Sequence, residues 1–81
     1  MIDKILFVDD EPSVLEGYKR LLGRDVPVDT AFGGQLGLAA IAEMGPYAVV
    51  ISGMRMPQMD GAQFLAKVRD LSPTTVRLAL T

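Results

Sequence analysis

The sequence contains no cysteine and no histidine. Without cysteine there is no disulfide framework, no thiolate nucleophile and no sulfur-ligated zinc. Without histidine, Ser-His-Asp chemistry and imidazole metal sites are excluded, so any bound metal must be held by oxygen. An excess of either charge is missing too: 8 Lys and Arg stand against 10 Asp and Glu, a net charge of -2. No basic field exists to draw in nucleic acid or anionic lipid, and neither a direct nucleic-acid partner nor a membrane partner is expected. No apolar run approaches the roughly 20 residues of a membrane span. The amino terminus, Met-Ile-Asp-Lys, lacks the basic start and apolar stretch of a secretory signal, so the expected location is the cytoplasm.

What is present is 81 residues with 49% apolar and 22% charged side chains, the composition of one small globular domain spanning 1-81. A chain this short buries only roughly 60 to 65% of its unfolded surface, so the core is economical or shared with a partner.

Three short apolar runs read as strands buried on both faces: Ile5 to Val8, Ala48 to Ile51, and Val76 to Leu80. A weaker run, Val26 to Thr30, carries Pro27 and Asp29 and suits a sheet edge. Between them lie helical patterns. Val14, Leu15, Tyr18, Leu21 and Leu22 share one face, and Phe64, Leu65, Val68 and Leu71 repeat that spacing after Asp60-Gly61. Gly34 to Met44 predicts a third helix burying Leu38, Ile41 and Ala42. Strand and helix alternate with short connections, the signature of an α/β domain with a parallel sheet and right-handed crossovers.

In such sheets ligands bind beyond the carboxyl ends of the strands. That rule gathers Asp9, Asp10 and Glu11, Ser52 to Arg55, and Thr81. Paired carboxylates with carbonyls nearby suit a hard divalent cation such as magnesium. The competing role of Asp9 or Asp10 is to cap the following helix, although Ser13 is an equally good cap. Met54, Met56 and Met59 suit packing against neighbouring helices better than copper binding. Gly33-Gly34 lacks the spacing of a phosphate-loop fingerprint.

Three separated segments carry a resemblance: Ile5-Leu6-Phe7-Val8-Asp9-Asp10-Glu11-Pro12, Val49 through Ser52-Gly53-Met54-Arg55-Met56-Pro57 to Gly61, and Val76 to Thr81. Together they resemble the receiver domain of bacterial two-component response regulators, in register over the whole chain. The resemblance implies a flavodoxin-like three-layer parallel sheet, of which this chain supplies four strands and three helices in order 2-1-3-4, an incomplete receiver. It implies magnesium held by Asp10 directly, by Asp9 through water, and by the backbone carbonyl of Arg55. It implies that Thr81 is the switch residue. The family's phosphoacceptor aspartate, four residues before Pro57, is here Gly53, and a glycine can neither attack phosphorus nor ligate the metal.

The expected function is therefore a receiver-like signalling module of a phosphorelay, without a phosphoacceptor and not an enzyme. It would act by protein association, with a sensor histidine kinase as the parent family's partner. Magnesium affinity should be weak, and the metal-free fold should gain stability from the lost like charge. Absence of a fifth strand predicts an open edge at Val76 to Leu80 and a homodimer. The alternatives are a phosphorylation-competent receiver using Ser52 or Asp60, and a truncated chain with no activity of its own.

Overall fold

The computed structural model describes residues 3–80. Its elements are β1 (Ile5–Asp9), α1 (Pro12–Leu22), β2 (Val28–Phe32), α2 (Gly33–Met44), β3 (Val49–Gly53), α3 (Gly61–Leu71) and β4 (Val76–Leu80). The four strands are parallel in the order β2-β1-β3-β4, the flavodoxin-like arrangement expected. Alternating side chains divide the core into two layers. On one face Phe7 and Val28 meet Leu15 of α1, with Tyr18, Leu22 and Ile51 packed alongside. Phe7 and Tyr18 stack with ring centroids 4.6 Å apart. On the other face Leu6, Val8 and Val50 meet Ile41 of α2 and Phe64 and Val68 of α3.

The helices pack closely because α2 presents glycine. A methyl group added to Gly37 would lie 2.8 Å from Phe64 Cε1 and 2.9 Å from Val8 Cγ2. The buried residues of α2 are Gly34, Gly37, Ala40 and Ile41, with Leu38 partly buried. Ala42 is exposed, a correction to the sequence reading, because it lies one 100° step beyond Ile41 and outside the stripe. The same step leaves Leu21 69% exposed beside the packed Leu22, whereas Leu71 lies on the Phe64–Val68 stripe and is 55% exposed as the last residue of α3.

Two strand expectations also change. β2 begins at Val28 and not at Val26; Pro27 stays outside the strand but its carbonyl accepts the Ile5 N–H at 3.0 Å. Asp29 sits within β2 because its carboxylate accepts the Tyr47 hydroxyl at 2.6 Å. β4, expected to be buried on both faces, is exposed throughout. Its Val76, Leu78 and Leu80 align with Val49, Ile51 and Gly53 of β3, on the face that carries α1. Among the described residues no element covers them there.

The amino-terminal ends of the strands are clamped together. Tyr47, 2% exposed, donates to Asp29, its carbonyl accepts from Thr75 Oγ1 at 2.7 Å, and Lys4 Nζ lies 4.8 Å from its ring centroid. Burial, the hydrogen bond to Asp29 and that carboxylate's charge push the Tyr47 phenol pKa far above its ordinary value.

Candidate functional site

The opposite end of the sheet holds the candidate site. β1 and β3 are adjacent and parallel, with Val8 beside Ser52, so the last residues of the two strands, Asp9 and Gly53, emerge side by side. They line an open pocket of about 620 Å³ together with Asp10, Glu11, Arg55 and Leu80. The structure thus brings Asp9, Asp10, Arg55 and Gly53 together as the sequence suggested. Thr81 lies outside the described residues.

The Asp9 carboxylate is held from below. Its Oδ1 accepts the Glu11 N–H at 3.1 Å, which ties the carboxylate to the threshold of α1. Ser13 caps nothing: the N-cap position falls on Glu11, no side chain caps it, and Pro12 occupies the first turn. This corrects the expectation of a Ser13 cap. Pro12 makes the difference, because it needs no acceptor and fits the first helical turn.

Gly53 is fully part of β3, and its lack of a side chain is felt next door. A Cβ built there would fall well inside contact with Asp9 Oδ2 and 3.1 Å from Asp9 Cγ. The Asp9 carboxylate therefore occupies space that any side chain at position 53 would claim. Sequence reasoning did not find this, because it depends on a residue missing its side chain on another strand.

The residues weighed as replacements are otherwise engaged. Ser52 is completely buried and its hydroxyl donates to the Gly53 carbonyl at 2.8 Å. Asp60 caps α3: its Oδ1 accepts the Gln63 N–H at 2.8 Å while Gln63 Oε1 accepts the Asp60 N–H at 3.0 Å. Gly61 serves close approach, since its Cβ would meet Met54 Cα at 2.8 Å; the positive φ in this loop belongs to Gln58 and not to Gly61. Met56 is buried and Met59 packs against the core, as expected of thioethers there.

A hard cation would meet oxygen donors here: the carboxylates of Asp9, at the end of β1, and of Asp10 just after it, and the backbone carbonyls of the loop after β3. That donor set fits magnesium, which tolerates few protein ligands and retains water. Among the described residues no three acidic side chains converge on one point, so the fit is that of a sparse site. No helix of the described residues is long and apolar enough to cross a membrane.

Comparison with known proteins agrees with this geometry. Residues 5–81 match the family described as the response regulator receiver domain. The chain is 37% identical over 81 residues to the transcriptional regulatory protein TrcR of Mycobacterium tuberculosis; the match takes in 96% of this chain and 30% of that protein. Among solved structures, adenylate cyclase from Rhodopirellula baltica superposes with a TM-score of 0.96 at 41% identity, over 100% of this chain and 60% of that one. A receiver domain protein from Clostridium thermocellum superposes with a TM-score of 0.92 at 33% identity, over 99% of this chain and 65% of that one.

Proposed function

The chain belongs to the response regulator receiver family, and from that premise we propose that it is a receiver module that does not accept a phosphoryl group and works through protein association. The observation that carries this is Gly53: the end of β3 offers the pocket no carboxylate, so no oxygen can attack phosphorus there. Asp9 and Asp10, with the Arg55 backbone carbonyl, would hold magnesium weakly. The bound cation would polarise phosphoryl oxygens, and without an acceptor that help has nothing to act on. Ser52 is buried and Asp60 is committed to its cap, which disfavours either as substitute acceptor.

The module is read as a non-enzyme, located in the cytoplasm, without nucleic-acid contact of its own, and engaging a sensor histidine kinase as receivers do. Thr81 is proposed to keep the switch position. The exposed edge of β4, carrying Val76, Leu78 and Leu80, supports homodimerisation of this chain.

Intact-mass measurement after exposure to a small phosphodonor and magnesium tests the reading. The wild-type mass should not change, whereas Gly53→Asp should gain one phosphoryl group. A phosphorylated wild-type chain would overturn the proposal and favour the alternative acceptor.

A further inference from the structure

Resting on the receiver reading above, we propose that Asp9 has taken the direct metal-ligand place left open at position 53, so that Asp9 and Asp10 hold a divalent cation together, with Asp9 no longer acting through water. Three observations lead there. First, the β1–β3 register sets Asp9 and Gly53 side by side. Second, Asp9 Oδ2 points into the volume that a Cβ at position 53 would fill, with Cγ only 3.1 Å from that point. Third, Oδ1 is anchored by the Glu11 N–H at 3.1 Å, which fixes the carboxylate so that Oδ2 is the oxygen presented toward the missing side chain. A cation bound between strands β1 and β3 thus still meets a carboxylate on the β3 side, delivered from β1.

This arrangement makes residue 53 a steric regulator of metal binding although it supplies no atom to the metal. Any side chain there, however inert, must turn the Asp9 carboxylate away. The neighbour that has to give is the end of one side chain held by a single hydrogen bond and not backbone, so the fold itself should accept the change.

Mn2+ is a suitable probe, because its unbound fraction is read directly by electron paramagnetic resonance. Gly53→Ala adds no charge and removes no donor, yet it should weaken Mn2+ binding by about tenfold, the scale seen when support for a metal ligand is lost. Asp9→Asn, which keeps the side-chain volume, should weaken it by at least about tenfold. The double variant should bind no more weakly than Asp9→Asn alone, because both changes remove the same interaction. Wild-type binding that is undetectable up to about 10 mM would overturn the proposal, given the affinity range of weak protein sites. So would a Gly53→Ala affinity equal to wild type, or losses that add in the double variant. Thermal unfolding of each variant by circular dichroism confirms that the comparison is between folded chains. The phosphodonor experiment is independent: it reads covalent mass, so the receiver reading and the ligand exchange fail on different results.

Discussion

Restoring an aspartate at position 53 is the most informative perturbation of this fold. In Gly53→Asp the new side chain displaces the Asp9 carboxylate, and three carboxylates then share one pocket with Glu11 at its rim. Two unit charges about 5 Å apart repel by roughly 1 kcal/mol in water and roughly 3 kcal/mol at an effective dielectric of 20. Asp9 is half-buried and Asp10 exposed, so screening places the summed cost near the lower figure, about 1–2 kcal/mol. Turning Asp9 adds about 0.5–1.5 kcal/mol of rotamer strain, and replacing a strand glycine returns about 0.5–1 kcal/mol. The variant should therefore be less stable than wild type by about 1–2 kcal/mol in EDTA, a fall in midpoint of about 5–15 °C for a domain of this size. Saturating magnesium at about 100 times its Kd returns about 2.7 kcal/mol, enough to reverse the order. Circular dichroism melts of both proteins, in EDTA and in magnesium, check this. A variant as stable as wild type without metal, or equal magnesium stabilisation of the two, would refute the reasoning.

Other outcomes follow from single contacts. Alanine should have opposite effects at two glycines: Gly17, with nothing within 4 Å of a new Cβ, should gain up to about 1 kcal/mol in urea unfolding, while Gly37, whose Cβ would crowd Phe64 and Val8, should lose about 1–2 kcal/mol net of that gain. Changes of the same sign would show that α2 packing is misjudged. Because the folded state raises the Tyr47 pKa, its stabilising contribution is present below the ordinary tyrosine value near about 10 and is lost as pH rises from there. Tyr47→Phe should cost about 1–2 kcal/mol at neutral pH and flatten the alkaline decline; urea midpoints that fall equally steeply in both proteins above pH 10 would count against it. The wild-type thermal midpoint should climb over an approximately hundredfold rise in concentration if β4 edges pair; a constant midpoint would remove the dimer.

Much of this architecture can be read in the chain because local chemistry and global order agree. The apolar runs of β1 and β3 are enclosed on both sides, so continuous hydrophobicity and burial coincide. The start of α3 is set locally as well, by the capping box that Asp60 and Gln63 close across its first turn. Where burial depends on what lies across the sheet, sequence is silent. Val76 to Leu80 reads like a core strand, and only the layer above it decides that it is exposed. Leu21 lies at the rim of its stripe, where one helical step separates packed from solvated, and Leu71 lies on its stripe but at the last residue of α3. At the site, the rule that ligands gather beyond strand ends already brings Asp9 and Asp10 together, while only the resemblance draws attention to Gly53, which lines the same pocket. The closeness of the Asp9 carboxylate to Gly53 is not legible from sequence, because it depends on a strand far away in the chain.

The register of the sheet also has a mechanical meaning. β1 begins at one end of the sheet, β4 finishes at the other, and β3 joins them in parallel, pairing with β1 from Val49 to Ser52 and with β4 from Val49 to Gly53. Tension applied between Ile5 and Leu80 would therefore slide strands along one another and load all the rungs of a ladder at once, instead of peeling them one by one. Forced rupture is governed by the unfolding rate, and loading in shear opposes that step most strongly. A module with little thermodynamic margin can in this way resist a pull along its strands far better than one across them.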